Sequence, residues 1–292
     1  MKRACIIGLG LIGGSLGLAL KKYTSLHVVG NSRRLETGEK ALHRGAIDEY
    51  RQNVSEAVGD ADIVFICTPI AQVANVMKDV GKYVLPNCIV TDTASVKEPI
   101  MRLAERYLPK IQFIGGHPMA GKEYGGIENA EADLFKNHPW CLVPAQSTAK
   151  ESVEQVKNML LSISAKPLMC ATDEHDRWVA LVSHLPFALS AALFSSASGS
   201  KEWKRAQQIA SNGFDSATRL ASGDPVLHTQ ISMANGEQMR KVLRTLIEEL
   251  QRLDVLLEKK DEKSLLTFFK QMKEKRDAWL RKNYRQQVEK NS

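Results

Sequence analysis

ACIIGLGLIGGSLGLALKK, residues 4–22, runs from an apolar segment through closely spaced glycines into a helical pattern. Three of the glycines have the spacing G-x-G-x-x-G, directly after the apolar segment. The first permits a tight turn, the second lets a pyrophosphate approach the backbone, and the third lets the helix pack closely on the strand. Free amides at the helix N-terminus then face the phosphates. The predicted cofactor-binding residues here are Gly8, Gly10, Leu11, Ile12 and Gly13. A glycine-rich turn without a ligand is the alternative.

Strand-like runs alternate with helical stretches up to about residue 171. The runs are residues 4–8, 26–30, 62–68, 88–92, 112–116, 140–145 and 166–171. Because they are almost continuously apolar and amphipathic stretches separate most of them, they predict a mainly parallel sheet covered on both faces. We therefore expect an α/β, Rossmann-type dinucleotide-binding domain over residues 1–171.

Past that point no strand-like run remains, and long helical patterns follow. Asp224 followed by Pro225 predicts the start of one helix, and Asp261 predicts the cap of the last one. Leucine and isoleucine recur at spacings of three and four between residues 243 and 257, which gives one apolar stripe. Little else in the chain can cover such a stripe. Residues 172–292 are therefore expected to form an all-helical substrate and dimerisation domain, through which the chain forms a homodimer.

Composition excludes several classes of protein. Apolar residues make up 43% of the chain and charged residues 25%, and no apolar run approaches the roughly 20 residues of a membrane span. The five cysteines are far apart and form no CxxC pair, which is typical of buried thiols in a reducing compartment. This pattern predicts a cytoplasmic protein with neither a disulfide framework nor a metal site.

The net charge of +7 lies largely in the tail, residues 270–292, which holds eight Lys or Arg against three Asp or Glu. These charges follow helical spacing, include acids and lack interleaved aromatic residues on one face. A solvated helix face is therefore favoured over a nucleic-acid-binding surface. Attraction of anionic small molecules is another explanation of the charge.

The segment after the second strand predicts which nucleotide binds. A site for NAD normally places Asp or Glu here to bind the ribose hydroxyls, whereas no acid precedes Glu36. Ser32, Arg33 and Arg34 can instead bond to a 2′-phosphate and neutralise it, so NADP is favoured and NAD remains possible. In the alternative interpretation the two arginines are solvated loop cations. At the ends of later strands, the residues expected to line the nicotinamide side are Thr68, Pro69 and Thr91.

Polar side chains at four places are candidates for the reacting centre. Ser95 follows one strand, on a loop or at a helix N-cap, and His117 follows the next, between a glycine and a proline. Both are expected to face the crevice at the carboxyl ends of the strands. His184, preceded by Ser183, interrupts an apolar helix, where a core histidine with internally satisfied nitrogens is the default. Arg219 lies in an irregular link between helices and can bind a carboxylate in a bidentate way, with a surface arginine as the alternative.

Six motifs stand in order between residues 3 and 280: GLGLIGGS, CTP, TDTASVK, GGHPMAG, SHLP and TR…DP. With these motifs the chain closely resembles the prephenate/arogenate dehydrogenase family of tyrosine biosynthesis. The resemblance implies a Rossmann-type domain followed by a helical domain that forms a dimer. It also implies oxidative decarboxylation of prephenate or arogenate, to 4-hydroxyphenylpyruvate or tyrosine, with hydride transfer to NAD(P).

The resemblance implies a role for each candidate residue. The catalytic residues are His117 and its partner Ser95, and the substrate-binding residues are Ser183, His184 and Arg219. In this chemistry His117 accepts the hydroxyl proton, so its imidazole must be neutral at working pH.

One departure from the family pattern leaves the substrate open. Many relatives carry an aromatic residue at the position of His228, which lies near the side-chain end of the substrate pocket. The choice between prephenate and arogenate is therefore unresolved, with arogenate and NADP slightly favoured. The alternatives are a dehydrogenase of an amino-substituted prephenate, a β-hydroxyacid dehydrogenase and a non-catalytic NADP-binding relative.

Overall fold

The computed structural model describes residues 1–122 and 124–283. Within them eight strands form one sheet: β1 (Arg3–Ile7), β2 (His27–Asn31), β3 (Glu49–Tyr50), β4 (Ile63–Ile66), β5 (Ile89–Asp92), β6 (Gln112–Pro118), β7 (Pro139–Pro144) and β8 (Lys166–Met169). The strand order is β3-β2-β1-β4-β5-β6-β7-β8, and every neighbouring pair is parallel except β6 with β7. The predicted mainly parallel sheet is confirmed.

Six helices accompany these strands: α1 (Leu11–Tyr23), α2 (Leu35–His43), α3 (Val54–Val58), α4 (Ile70–Tyr83), α5 (Glu98–Tyr107) and α6 (Lys150–Ser162). Strand β1 explains why the runs are apolar throughout. Ala4 and Ile6 belong to the core on one face of the sheet, and Cys5 and Ile7 belong to the core on the other. Because successive side chains of a strand point to opposite faces, a sheet with a core on each face needs apolar residues at every position.

All seven predicted strands are present, with ends that differ by at most two residues. The two-residue strand β3 was not predicted. Its residues Glu49 and Tyr50 are both half-buried and pair with Val29 and Gly30 at the edge of the sheet. Two residues are too few to produce a periodic pattern, so the edge strand has no signal of its own in the sequence.

After β8 the described part of the chain contains helices and no further strand. The helices are α7 (Thr172–Val179), α8 (Leu185–Ser198), α9 (Trp203–Ala206), α10 (Asn212–Thr218), α11 (Pro225–Ala234), α12 (Gly236–Glu258) and α13 (Glu262–Asn283). A π-helical turn, Ala180–His184, joins α7 to α8. The basic tail predicted from residue 270 lies on α13 as far as residue 283, and residues 284–292 lie outside the described part.

Both predicted helix caps are confirmed. The Asp224 carboxylate accepts hydrogen bonds from the amides of Val226 and Leu227, at 2.8 and 3.1 Å, and Pro225 is the first residue of α11. The Asp261 carboxylate accepts a hydrogen bond of 3.0 Å from the amide of Ser264 in the first turn of α13. In both helices the aspartate satisfies amides that have no partner within the helix.

Residues 1–239 form one compact unit, and the chain from Arg240 onward forms a second. The division between residues 171 and 172, proposed from the sequence, follows the change from alternating strands and helices to helices alone. It stays a prediction.

One helical segment, Thr172–Ser198, is long and apolar enough by length and composition to cross a membrane. Its most apolar 18-residue window has a mean hydropathy of 1.6, and 22% of that window is buried. The expectation that no apolar run approaches this length was wrong, because polar residues such as Ser183 and His184 interrupt the run but leave its mean hydropathy at the level of a membrane span. The exposed apolar side chains in this segment include Leu181, Val182, Leu189 and Phe194.

Candidate active site

A cavity of about 880 Å³ lies at the carboxyl ends of five strands, β1, β2, β4, β5 and β6. This volume is within the range of sites for small molecules and cofactors. Residues 223–228, from the helical part of the chain, complete the wall. The predicted site residues on the wall are Gly8, Gly10, Leu11, Ile12, Ser32, Arg33, Arg34, Thr68, Pro69, Ser95 and His117.

The glycine-rich turn fits a pyrophosphate. Gly8 has a φ of +98°, and a Cβ there would lie 2.5 Å from the carbonyl oxygen of Cys67. A Cβ on Gly13 would lie 1.9 Å from the carbonyl oxygen of Gly8. At Gly10, in contrast, no atom lies within 4 Å of the position of a Cβ. The first and third glycines are therefore needed by the fold, whereas the second opens onto space at the helix N-terminus that a ligand can fill.

A buried hydroxyl supports the same fit. The Oγ1 atom of Thr68, on the cavity wall after β4, has no hydrogen-bond partner among the described residues. Because buried polar atoms are normally hydrogen-bonded, this hydroxyl is free to bond to a bound dinucleotide.

The end of the cavity near β2 is basic. Asn31 is turned into the protein, where its Nδ2 donates to the carbonyl oxygens of Arg51 and Gln52 at 2.8 and 2.9 Å. Arg33 and Arg34 are exposed on the wall. Glu36, the first acid after them in sequence, also lines the wall and forms an ion pair with Lys40. The residues directly after β2, Ser32, Arg33 and Arg34, thus include no carboxylate, whereas an NAD site normally has one here.

Three hydrogen-bonded side chains, those of His117, His175 and Asp176, form a relay that ends at His117. Its Nδ1 lies 2.9 Å from Nε2 of His175, and Nδ1 of His175 lies 2.7 Å from Oδ1 of Asp176. Both Asp176 oxygens also accept backbone amides, from Lys97 at 2.7 Å and Glu98 at 2.8 Å. The two amides and the imidazole hold the carboxylate in place.

The hydrogen bonds of this relay determine which imidazole nitrogens carry a proton. The ionised Asp176 carboxylate only accepts hydrogen bonds, so Nδ1 of His175 must carry a proton. A neutral His175 then accepts at Nε2, and Nδ1 of His117 must donate to it. The remaining nitrogen of His117, Nε2, is left with a lone pair. His117 is thereby fixed as the tautomer that can accept a proton at Nε2.

Burial keeps these imidazoles neutral. The pKa of His117 is lowered well below its usual value, first by desolvation and then by repulsion from His175, Lys97 and His184. Desolvation also lowers the pKa of His175, although Asp176 opposes this effect. For Asp176, burial raises the pKa, but the hydrogen bonds from His175 and the two amides outweigh it and the net shift is downward. A neutral His117, joined through His175 to an ionised carboxylate, can accept a proton.

A buried ion pair holds the backbone in front of His117. The ammonium group of Lys97 donates to Oδ2 of Asp92 and, at 2.7 Å, to the carbonyl oxygen of Gly116. The Gly116 amide donates to Oδ1 of Asp92 at 3.0 Å. Lys97 and Asp92 are both completely buried. The pair therefore binds both polar backbone atoms of Gly116 and restricts the orientation of His117.

Ser95 and His184 lie close to this centre in different ways. Ser95 is half-buried on the cavity wall, on the loop between β5 and α5, and it is not an N-cap because α5 begins at Glu98. His184 is buried on the π-helical turn, where desolvation lowers its pKa to about 4. Its Nδ1 lies 3.2 Å from Nδ2 of Asn235.

The other predicted site residues lie off the cavity wall. Gly13 is inside α1, and Thr91 is buried in β5 with no partner for its hydroxyl among the described residues. Ser183 is exposed on the π-helical turn, and Arg219 is exposed at the end of α10. Their assigned roles stay predictions.

The sequence analysis missed His175, Asp176 and Asn235. His175 is 58 residues from His117, and only the packing of α7 against α5 brings the two rings together. The adjacent residues His175 and Asp176 carry a local signal, since a carboxylate that orients an imidazole is a recurrent catalytic arrangement. Asn235 carries none, because a single asparagine between helices is typical of an ordinary helix end.

The comparisons with known proteins agree with this geometry. The family model described as the prephenate dehydrogenase nucleotide-binding domain matches residues 16–169, and the one described as the prephenate dehydrogenase dimerization domain matches residues 171–271. The chain belongs to the prephenate dehydrogenase family.

Members of the family from several organisms are similar to the chain. A prephenate dehydrogenase from Bacillus subtilis is 32% identical over 94% of this chain and 75% of its own length. Synechocystis arogenate dehydrogenase has a TM-score of 0.85 at 35% identity, with 95% of this chain and 99% of that chain covered. Prephenate dehydrogenase from A. aeolicus, in complex with hydroxyphenyl propionate and NAD+, has a TM-score of 0.89 at 27% identity, with coverages of 95% and 98%.

The family establishes the broad activity and architecture. The chain is an enzyme of the prephenate/arogenate dehydrogenase type in tyrosine biosynthesis, with a nucleotide-binding sheet domain followed by a helical dimerisation domain. The described residues contain no group of three or more His, Cys, Asp and Glu side chains placed to hold a metal ion.

Proposed function

We propose that the chain oxidises and decarboxylates arogenate with NADP as the preferred cofactor. The observation that carries the cofactor preference is the basic end of the cavity, where Arg33 and Arg34 replace the acid of an NAD site. A guanidinium binds a phosphate through two parallel hydrogen bonds, so these arginines favour the nucleotide that carries the extra phosphate.

The reaction balances without any further reactant. The ring carbon that bears the hydroxyl loses its hydrogen as a hydride, and the hydroxyl loses its proton. The bond between the ring and its carboxylate then breaks, its electron pair enters the ring, and carbon dioxide leaves. The ring oxygen recovers the proton as the ring becomes aromatic. When bound, the nicotinamide supplies the hydride acceptor.

The residues of the chain handle the proton and position the substrate. Nε2 of His117 accepts the hydroxyl proton and returns it to the ring oxygen, and Ser95 on the same cavity wall binds that hydroxyl, the imidazole or both. The positive charge that forms on His117 is stabilised through His175 by the Asp176 carboxylate. Arg219 binds a substrate carboxylate, and His184, after Ser183, completes the polar wall on the helical side.

The wall formed by residues 223–228 supports the preference for arogenate. It carries the Asp224 carboxylate, which attracts the ammonium group of arogenate and has no such partner in the keto acid prephenate. His228 lies flat on Phe187, with ring centroids 3.4 Å apart and an interplanar angle of 7°. Burial lowers the pKa of His228, so its ring adds no positive charge that would repel the ammonium group.

The test is formation of reduced nicotinamide by the purified protein, with prephenate and arogenate each paired with NADP and NAD. We expect the fastest turnover with arogenate and NADP. Faster turnover of prephenate would reject the substrate assignment, and faster turnover with NAD would reject the cofactor assignment. If no reduced nicotinamide forms in any of the four mixtures although NADP binds, the substrate is an amino-substituted prephenate or the protein is a non-catalytic relative.

The cofactor preference has a sharper test in the arginines. Replacing Arg33 and Arg34 with alanine should weaken NADP binding about 10- to 100-fold and leave NAD binding within a few fold, because only NADP carries the 2′-phosphate. Arg51→Ala is the matched control, since this nearby guanidinium pairs with Glu49 and is not on the cavity wall. Binding constants from cofactor titrations decide the matter, and equal losses for both nucleotides would refute the assignment.

We also propose an assembly and a compartment for the enzyme. The exposed apolar side chains of α8 fit a homodimer formed through the helical part of the chain. The free cysteines fit a cytoplasmic enzyme. Sedimentation equilibrium of the purified protein should give twice the chain mass of 32.4 kDa, and a monomer across micromolar concentrations would contradict the dimer.

A further inference from the structure

Asn235 links two parts of the active site and has no role in the assignments above. It lies between α11 and α12 and is 4% exposed. Its Nδ2 lies 2.8 Å from the backbone carbonyl oxygen of Asp176 and 3.2 Å from Nδ1 of His184. One side-chain nitrogen therefore contacts both the relay behind His117 and the imidazole of the helical side.

The first of these contacts fixes the orientation of the amide. A backbone carbonyl oxygen can only accept a hydrogen bond, so the atom that faces the Asp176 carbonyl must be the amide nitrogen. That nitrogen has two hydrogens. One bonds to the carbonyl oxygen, and the other is directed at Nδ1 of His184.

The second contact fixes the tautomer of His184. Because Nδ1 accepts the hydrogen bond from Asn235, it carries no proton, and in a neutral ring the proton must then lie on Nε2. The Nε2 atom is buried and has no hydrogen-bond partner among the described residues. A buried donor left without a partner destabilises the folded state. The fold therefore leaves the Nε2–H group of His184 without a partner among the described residues.

The charges around His184 agree with a neutral ring. The groups that act on it are Asp176 and His175 on α7 and His228 on α11, and His184 in turn acts on His117 at the end of β6. Of these four, only Asp176 carries a charge, and its oxygens are bound by His175 and two amides. Desolvation dominates, which lowers the pKa of His184 to about 4.

We propose that Asn235 is a positioning residue, which fixes His184 as the tautomer with its proton on Nε2 and so provides one hydrogen-bond donor for an oxygen of the substrate. The class of acceptor, a carboxylate or hydroxyl oxygen, rests on the proposed function. The tautomer does not, because it follows from the contacts of Asn235 alone. The active site thereby contains two neutral histidines with different roles: His117 accepts a proton, and His184 donates a hydrogen bond.

The first test uses the unaltered dimer and needs no substrate. In ¹H–¹⁵N spectra of protein labelled at histidine nitrogen, the Nε2 of His184 should carry a proton at neutral pH and Nδ1 should not. The His184→Gln variant identifies the signals by their loss. A His184 ring with its proton on Nδ1 would overturn the proposal, whether or not the protein turns over arogenate.

The second test reverses the hydrogen bond. In Asn235→Asp a carboxylate faces Nδ1 of His184, so Nδ1 must carry the proton and the neutral ring loses the proton on Nε2. We expect kcat/KM for the substrate to fall about 10- to 100-fold at pH 8, because a hydrogen bond to a charged group is lost. The KM for the cofactor should not change.

The pH profile separates this effect from damage to the structure. The new carboxylate raises the pKa of His184, and protonated His184 carries a hydrogen on both nitrogens. The variant should therefore regain kcat/KM as the pH falls through that pKa, before protonation of His117 stops the reaction. An equal loss at every pH would overturn the proposal.

A double variant completes the test. With His184→Gln in place there is no imidazole for Asn235 to orient, so Asn235→Asp should add only about a twofold further loss. The same 10- to 100-fold loss in both backgrounds would show that Asn235 acts without His184. If no variant is active in any mixture, the proposed function has failed, and the tautomer measured by nuclear magnetic resonance still decides the role of Asn235.

Discussion

At the scale of single residues, the hydrogen bond between His117 and His175 makes a direct prediction. His117→Asn removes the proton acceptor at Nε2, so we expect turnover to fall by about 10² to 10⁴, the usual contribution of a general base. Cofactor binding should persist, since the phosphate-binding turn lies on β1 and α1. His138→Asn is the matched control, because that histidine is exposed and outside the cavity wall. Normal turnover in His117→Asn would remove His117 from the mechanism.

The buried ion pair predicts a large stability difference between two lysines. Lys97→Met leaves the Asp92 carboxylate buried without its cation, which should lower the free energy of unfolding by about 3–5 kcal/mol. Lys82→Met is the control, since Lys82 pairs with Asp79 at the surface with both side chains about half exposed, and its loss should cost no more than about 1 kcal/mol. Urea unfolding at one protein concentration measures both. Similar losses in the two variants would mean that Lys97 contributes no more than a surface pair.

The sequence predicts the residues of the reacting centre better than it predicts their hydrogen-bond partners. His117 and Ser95 follow neighbouring strands, and parallel strands bring their carboxyl ends to one edge, so both positions could be predicted to share the cavity wall. The partners of His117 could not. Whether His175 contacts His117 depends on how α7 packs on the sheet, and no periodicity within α7 contains that information. The exposed position of Arg219, off the cavity wall, could not be predicted either, because it also depends on how the helices pack.

At the scale of elements, the turn between β1 and α1 predicts opposite effects for two similar substitutions. Gly10→Ala adds a methyl group in open space, so stability should hardly change, but the methyl fills the approach of the pyrophosphate. We expect cofactor affinity to fall at least about tenfold, which corresponds to 1.4 kcal/mol. A thermal melt combined with a cofactor titration measures both quantities.

Gly13→Ala is the matched variant for that test. Its methyl group would lie 1.9 Å from the Gly8 carbonyl oxygen, so the helix must move away from the strand. This substitution should lower the melting temperature by several degrees, since overpacking typically costs roughly 1–3 kcal/mol. Equal stability of the two variants would contradict the different roles assigned to these glycines.

The elements themselves were largely predictable because both faces of the sheet are buried. Continuous apolar runs such as residues 63–66 stand out from the amphipathic helices between them, and glycine or aspartate marks the changes of direction. The edge strand β3 escaped because its two residues pair at the rim and are only half-buried. The π-helical turn at residues 180–184 also escaped, since a single wide turn leaves the apolar pattern of a helix unchanged.

At the scale of the whole molecule, the buried histidines make stability depend on pH. Their native pKa values are lowered, so below about pH 6.5 the unfolded chain binds protons that the native protein does not. The free energy of unfolding must then fall with falling pH. For His184 alone, whose pKa falls from 6.5 to about 4, the loss reaches about 3 kcal/mol by pH 4.

The contribution of His184 can be isolated by comparing two proteins. Chemical unfolding of the unaltered protein and of His184→Gln, at pH 7 and pH 4 and at one concentration, should show a pH dependence that is smaller by about 3 kcal/mol in the variant. The carboxylates titrate in both proteins and cancel in the comparison. An identical pH dependence would mean that His184 is not held neutral by burial.

The relay behind His117 has a consequence for how this enzyme can be recombined with its relatives. His117 lies on β6 of the nucleotide-binding sheet, whereas His175 and Asp176 lie on α7, the first helix after the last strand of that sheet. A chimera joined just before α7 therefore combines His117 from one parent with His175 and Asp176 from the other. The pKa of His117 then depends on how the two parents' segments pack against each other. A splice after α8 keeps His117, His175, Asp176 and His184 from one parent, but it takes Asn235 and His228 from the other. The tautomer of His184 then depends on whether the second parent supplies an asparagine at the position of Asn235.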